Sequence, residues 1–366
     1  MSLKIALLPG DGVGPEVVAE AVRVLQAVGE QAGKTFSFST HAIGGVAIDS
    51  TGVALPPATL DACLASDAVL LGAVGDPKFD DRAPAERPEA ALLALRQALG
   101  GFANLRPAVS YPSLAKRTAF QPERVKGANL LIVRELLGGL YYGEPRGFDE
   151  SGNRAFNTLT YTRPEIERVA RVAFERARQR GRRLASVDKA NVLETSRLWR
   201  TVVTEMGKSY PDVTLEHVYI DTCAMRLATT PAAFDVILAD NLFGDILSDQ
   251  AASISGSLGL LPSATLGGRV DLYEPVHGSA PDIAGRALAN PIGAIASAAM
   301  LLRFTAGLER EAGEVDHAIA EALAAGARTR DIAGPGERVL STSEMGQAIA
   351  DAITEGRDRR HSYHAV

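Results

Sequence analysis

Apolar residues along the chain follow two rhythms. Short, largely apolar runs at residues 4–8, 68–74, 129–133, 184–189, 215–220 and 234–239 predict strands, those at 4–8 and 68–74 buried. Between them, Val17, Val18, Ala21, Val24, Leu25 and Val28 recur at helical spacing, as do Ile166, Val169, Ala170, Ala173, Phe174 and Ala177. Thr162 is placed to cap the start of the second helix, with Pro164 and Glu165 in its first turn, and Gly181 to end it. Helices are also expected over 89–98, 192–206, 291–305 and 315–325. The third of these is Ala-rich and apolar nearly all round, so it belongs in a core. Strands alternating with helices predict an α/β fold, in which ligands collect outside the carboxyl ends of the strands.

The intervening segments add detail. Gly10, Gly12 and Gly14 form a G-x-G-x-G turn from the first strand into a helix. The spacing is not that of a dinucleotide fingerprint, and no acidic residue closes a second strand downstream, so a tight turn is the better reading. Residues 75–88 form a loop rich in Asp, Pro and Arg, long enough to suggest function. Residues 137–147 carry four glycines with Tyr141 and Tyr142, and lead into an alternating stretch that reads as an extended arm paired with a second chain. The Gly/Ser-rich 253–268 reads as a hinge or crossover, and 356–366 as a polar, fraying tail.

Composition narrows the function classes. The 366 residues suffice for two domains, and 46% hydrophobic with 22% charged residues is an ordinary globular mix. A net charge of −6 with no long basic tract argues against nucleic-acid binding. The arginines of 176–183 suit the C-terminal end of a helix dipole. Cys63 and Cys223 support neither a disulfide framework nor a cysteine zinc site. No apolar run reaches the length of a membrane span, and the start has no signal-peptide layout, so a cytoplasmic enzyme is expected.

The candidate chemistry centres on 241–253. Asp245 and Asp249 are four apart, which on a helix sets both carboxylates on one face, with Leu242, Ile246 and Leu247 on the buried side. The pair suits a hard cation such as Mg²⁺ or Mn²⁺, although taken alone it reads better as an exposed amphipathic helix. Arg96, Arg106 and Arg134 lie in or beside apolar segments and suit bidentate grip on carboxylates. Lys189, Asp221 and Asp245 all fall at or just beyond strand ends. Around 274–285, small residues before an expected helix start offer backbone amides to a diphosphate, and Asp282 could accept from a ribose hydroxyl; a Gly/Pro loop with a capping aspartate is the plainer alternative.

The motifs FANLRP, VRELLGGLYYGEPRG, VDKANVLE, NLFGDILSDQAA and EPVHGSAPDIAG resemble, essentially end to end, those of the isocitrate/isopropylmalate dehydrogenase family, the β-decarboxylating dehydrogenases of (2R,3S)-2-hydroxy acids. The resemblance implies a non-Rossmann α/β fold of two domains with an active-site cleft between them. A cofactor domain would take 1–101 and 256–366, and a central substrate, metal and dimerisation domain 102–255. It implies Arg96, Arg106 and Arg134 as carboxylate binders, Asp221, Asp245 and Asp249 as ligands of Mg²⁺ or Mn²⁺, Lys189 as catalytic base and Tyr141 as acid. It assigns Glu89, Glu274, His277, Gly278, Ser279, Ala280, Asp282, Ile283 and Asn290 to NAD. It also implies a homodimer with shared sites, in which Lys189 and Asp221 reach the partner and the arm clasps it.

Substrate choice within the family rests on Leu92 and Leu93. Leucines cannot satisfy a carboxylate but can bury a branched alkyl group, worth about 2 kcal/mol. The resemblance therefore implies NAD-dependent oxidative decarboxylation of (2R,3S)-3-isopropylmalate to 4-methyl-2-oxopentanoate, in leucine biosynthesis. Asp282 and Ile283 favour NAD, since a carboxylate there repels a 2′-phosphate. Isocitrate, homoisocitrate, D-malate and tartrate remain alternative substrates. A non-catalytic binding protein on the same fold should have lost part of the Lys/Asp/Arg set, which is complete here. Asp240, beside Asn241, adds a negative charge whose direction the sequence leaves open.

Overall fold

The computed structural model describes residues 2–363. The chain divides into two compact units. One takes the residues up to Gly100, Tyr111–Thr118 and the chain from Ser255 onward; the other takes Gly101–Ser110 and Ala119–Ile254.

The terminal unit opens with β1 (Leu3–Gly10), α1 (Gly14–Ala32), β2 (Phe36–Thr40), α2 (Gly45–Thr51), α3 (Pro57–Leu64), β3 (Ala68–Ala73) and α4 (Pro88–Leu99). The middle unit holds β4 (Ala103–Val109), α5 (Pro122–Val125), β5 (Asn129–Glu135), β6 (Gly147–Phe148), β7 (Ala155–Phe156), α6 (Arg163–Arg178), β8 (Arg183–Asp188) and α7 (Glu194–Gly207). It continues through β9 (Thr214–Tyr219), α8 (Ile220–Thr229), β10 (Val236–Ala239) and α9 (Asn241–Ser255). The chain then returns to the terminal unit as β11 (Pro262–Leu266), β12 (Asp271–Pro275), α10 (Ile292–Phe304), α11 (Glu309–Ala324) and α12 (Thr342–Tyr363).

In the terminal unit the strands run β2-β1-β3-β12-β11, all parallel except β11, which is antiparallel to β12. Every residue of β3 is buried, as an apolar run covered on both faces requires. Leu8, Val69 and Leu71 form one core with Leu95 and Leu99 of α4. Ile292–Leu302 of α10 are buried all round, so an alanine-rich segment serves as a central core helix. Tyr111–Thr118 joins this unit through buried Leu114 and a hydrogen bond from Arg328 Nη2 to the Ser113 carbonyl at 3.2 Å.

The glycine turn after β1 is shaped by backbone approach. Gly12 has φ +56°, and a Cβ there would stand 1.9 Å from the Ser279 carbonyl oxygen, which accepts from Val13 N at 2.8 Å. The turn also holds Asp11, which is buried and accepts from the amides of Gly45, Gly75 and Val46, each at 2.9 Å. One carboxylate thus ties three separate backbone segments.

In the middle unit the order is β4-β5-β10-β8-β9, with β4 antiparallel to β5 and the others parallel. The carboxyl ends of β5, β10, β8 and β9 therefore share one edge, and place Arg134, Asp240, Lys189 and Asp221 along it. Helix α6 begins with a capping box between Thr162 and Glu165, and buries the stripe from Ile166 to Ala177. Phe174 stacks on Tyr210 at 4.5 Å, and Tyr161 meets Trp199 edge-on at 5.5 Å.

Several expectations are corrected. Helix α6 ends at Arg178, and the left-handed residue beyond it is Arg182 (φ 57°), not Gly181. Ile246 is 54% exposed while Leu247 is buried, so the apolar face of α9 is narrower than the spacing suggested. Residues 253–268, read as a hinge or crossover, do carry the chain from the middle unit to the terminal one, but they also contain the end of α9 and all of β11. The expected arm is present, as a two-stranded antiparallel hairpin of β6 with β7 that leaves Phe148 and Phe156 exposed. The expected tail falls partly within α12, and its last residues lie outside those described.

Candidate active site

A compact polar cluster forms where β4, β5 and α9 of the middle unit meet. Asn104 and Arg106 alternate onto one face of β4, and Asn104 is the register partner of Arg134 on β5. Arg134 is almost completely buried. Its Nε and Nη2 donate to Asn241 Oδ1 at 3.0 and 2.8 Å, and its Nη1 pairs closely with Asp245. Asn241 is itself locked: its Nδ2 donates to the Leu136 and Gly138 carbonyls, and its amide to the Tyr161 hydroxyl. Gly244 makes room, since a Cβ there would lie 2.7 Å from Arg134 Cγ.

Asp245 receives the remaining donors. Tyr141 donates to its Oδ2 at 2.8 Å, and Arg106 Nη1 approaches Oδ1 at 3.4 Å and Asp249 Oδ1 at 3.7 Å. Arg106 is aimed by Asn104 (2.7 Å) and Ser248 (2.8 Å). Burial, then Asp245, raises the Tyr141 pKa, so the phenol keeps its proton at neutral pH. Burial also raises the Asp249 pKa, with Arg106 opposing and Asp245 adding like-charge repulsion. Two carboxylates one turn apart, one of them 62% exposed, are a hard oxygen donor set of the kind a divalent ion takes.

Asp221 does not join them within one chain. Among the described residues no three His, Cys, Asp or Glu side chains form a metal-holding group. Instead Lys189 Nζ donates to Asp221 Oδ1 at 2.5 Å, and this bond is the main reason the Asp221 pKa is lowered.

Asp240 turns inward. It is buried and accepts from Phe243 N at 2.7 Å, and burial raises its pKa to about 7, with Glu135 adding to the rise and Arg134 opposing it. A carboxyl whose pKa is higher folded than unfolded contributes stability below its unfolded pKa, about 4, and loses it as pH rises through 7. Asp240→Asn should therefore gain stability over the parent as pH rises from about 4 to 8, measured by urea unfolding at each pH.

In the terminal unit Arg96, on α4, is buried and pairs with Glu274 at 2.7 Å, joining a residue read as a substrate binder to one read as a cofactor binder. Leu92 packs partly on the core under α4, and Leu93 is half-buried. Glu89 is exposed in the first turn of α4, close to Gly75. His277 is held by the Gly278 carbonyl at 2.9 Å; burial lowers its pKa, and its Nε2 is buried with no hydrogen-bond partner among the described residues. Ser279 is buried, while Gly278 and Asp282 are exposed, and Ala280 adopts φ 41°.

The helix expected over 291–305 is α10 (Ile292–Phe304), and the segment before it is not helical. Residues 281–287 are turns, in which Ile283 N donates to the Ala280 carbonyl, and the next helix is α10. The Gly285 amide donates to Glu16 Oε1 at 2.6 Å. Asn290 Oδ1 accepts from the Ile292 amide at the start of α10, and its Nδ2 donates to Asp331. Sequence reasoning missed Asp11, Asn104, Asn241 and Ser248. Only the polar character of Asn104 and Asn241 inside apolar segments hinted at their roles.

Residues 4–349 match the family model described as isocitrate/isopropylmalate dehydrogenase. The chain is 55% identical to the 3-isopropylmalate dehydrogenase of Moorella thermoacetica over 355 residues, 96% of this chain and 99% of that one. It is 56% identical to that of Salinibacter ruber, covering 95% of each. Among solved structures, isocitrate dehydrogenase from Methylococcus capsulatus superposes with TM-score 0.86 at 37% identity, covering 96% of this chain and 99% of that one. A β-decarboxylating dehydrogenase from Thermococcus kodakarensis gives TM-score 0.79 at 37% identity, covering 96% of each. Matches of this extent settle the ancestry: the chain belongs to the isocitrate/isopropylmalate dehydrogenase family.

Proposed function

We propose that the protein catalyses NAD-dependent oxidative decarboxylation of (2R,3S)-3-isopropylmalate to 4-methyl-2-oxopentanoate and CO₂, a step of leucine biosynthesis. The relatives named 3-isopropylmalate dehydrogenase are 51–56% identical, against 37% for the isocitrate dehydrogenase structure. The observation that carries the chemistry is the convergence of Arg106, Arg134, Tyr141 and Asp245 in one cluster. Arg106 and Arg134, oriented by Asn104, Ser248 and Asn241 as well as by Asp245, are assigned to the substrate carboxylates, with Arg96 as a further candidate. Leu92 and Leu93 are assigned to the isopropyl group.

Asp245 and Asp249, with Asp221 of a second copy, would hold Mg²⁺ or Mn²⁺. A bound ion of this kind supplies Lewis-acid polarisation of the substrate oxygens, and NAD⁺ supplies the hydride acceptor. Lys189 takes the hydroxyl proton. Tyr141, kept protonated by its burial, returns a proton to the carbon that loses CO₂. The terminal unit is assigned to NAD, through Glu89, Glu274, His277, Gly278, Ser279, Ala280, Asp282, Ile283 and Asn290, and the middle unit to substrate, metal and dimerisation. The unpartnered Nε2 of His277 and the exposed Asp282 support a nucleoside there. No helix among the described residues is long and apolar enough to cross a membrane, which is compatible with the cytoplasmic placement proposed.

The test is NADH formation from 3-isopropylmalate and from D-malate, with NAD⁺ or NADP⁺, before and after EDTA. Activity on 3-isopropylmalate with NAD⁺ that EDTA abolishes and Mn²⁺ restores supports the reading. A clear preference for D-malate overturns the role of the leucines, and a preference for NADP⁺ overturns that of Asp282.

A further inference from the structure

We propose that the ion pair between buried Asp188 and part-exposed Arg200 positions Lys189 from both sides of its backbone. The inference rests on the reading of Lys189 as the base. Asp188 directly precedes the lysine and is 1% exposed. Its carboxylate takes Arg200 in a two-point grip, Nε to Oδ2 and Nη2 to Oδ1, both at 2.8 Å. The same Oδ1 accepts from the amide of Ala190, directly after the lysine, at 2.9 Å. The residues flanking Lys189 are therefore pinned to one carboxylate, and that carboxylate is pinned to helix α7.

The guanidinium does a second task. Arg200 lies over the Tyr219 ring at 4.9 Å, and the Lys189 ammonium lies 5.8 Å from the centre of the same ring. Tyr219 is the residue before α8, two positions from Asp221, which receives the lysine's hydrogen bond. Arg200 thus links the strand end that carries the lysine to the ring and loop that receive its tip. Two further neighbours close the set. The Lys189 carbonyl accepts from Val192 N and Leu193 N at 2.9 Å, and neutral His217 sits 4.0 Å from Asp188 with its Nε2 on Thr204. A base held this firmly has a defined reach, and a displacement of about 1 Å costs on the order of a hundredfold in rate.

Arg200→Lys tests the idea while keeping the charge. A lysine can meet one oxygen of Asp188 but cannot make the planar two-point grip or lie flat over the ring. The side chain at 200 is partly exposed beside an open depression that also reaches Ala190, Thr201 and Tyr219, so water can fill what the change vacates. The experiment is a double-mutant cycle of Lys189→Ala and Arg200→Lys, reading kcat and KM for 3-isopropylmalate and Tm for each variant.

The expected result is that Arg200→Lys alone lowers kcat about ten- to a hundredfold with KM changed less than about threefold, and lowers it no further once Lys189 is alanine. A double mutant, Asp188→Asn with Arg200→Gln, leaves no charge buried alone; it should show the same dependence on Lys189 should Arg200→Lys fold poorly. Equal losses with and without the lysine, or an unchanged kcat in Arg200→Lys, would overturn the positioning role. An unchanged kcat in Lys189→Ala would instead overturn the base assignment on which it rests.

Discussion

Changing Asp245 to asparagine is expected to lower kcat/KM for 3-isopropylmalate at least about a hundredfold, the few kcal/mol that polarisation of a reacting oxygen is worth. Asp245 is the acceptor on which Tyr141, Arg134 and Arg106 converge. Asparagine preserves its shape and can still accept from Tyr141. It removes the charge, so two arginines face one fewer counter-ion and a divalent ion loses a hard ligand. Two measurements separate these effects: steady-state kinetics and Mn²⁺ binding by calorimetry. Both should fall together. Lost turnover with unchanged Mn²⁺ affinity would show that Asp245 acts through the arginines alone, and unchanged turnover would remove α9 from the chemistry. Asp249→Asn should weaken Mn²⁺ binding with less effect on fold stability, because its side chain is 62% exposed and its nearest arginine stands 3.7 Å away.

Arg134→Met is expected to cost about 3–5 kcal/mol of folding stability, the usual penalty for removing one partner from a buried, hydrogen-bonded pair. Arg134 is 2% exposed, and its loss strips Asn241 Oδ1 of both donors and Asp245 of its closest cation. The effect should spread, because Asn241 also holds the 136–138 turn that leads to Tyr141. Urea unfolding checks the size: a shift below about 1 kcal/mol would mean the network is not what secures this corner. Arg134→Lys should lose less stability yet bind substrate poorly, since an ammonium cannot replace the fork that spans Asn241 and Asp245.

The candidate site was legible where function coincides with the alternation of strands and helices. Arg134, Lys189, Asp221 and Asp245 stand out because apolar runs end just before them, and parallel strands β5, β8, β9 and β10 gather those ends on one edge. The four-residue spacing of Asp245 and Asp249 needs only a helix to be read, and α9 is that helix. Three features were not legible. Arg96 was read for its charge, but Glu274, far along the chain, pairs with it. Ile246 was assigned to a buried face by periodicity, which cannot say which neighbours cover that face. The loop 281–287 was read for its free amides, yet tertiary links shape its surroundings: the Val13 amide on the Ser279 carbonyl and the Gly285 amide on the Glu16 carboxylate.

The chain by itself determined its class of fold, the order of its elements and the residues delivered to strand ends, because these follow from the period of apolar positions and from short-range capping and turn chemistry. Tertiary structure alone decided the partners: Asn241 for Arg134, the three amides for Asp11, Arg200 for Asp188 and an inward-facing Asp240. A buried polar group must find a complementary group among segments distant in sequence, and which segments approach closely enough is set by packing, which no local pattern encodes.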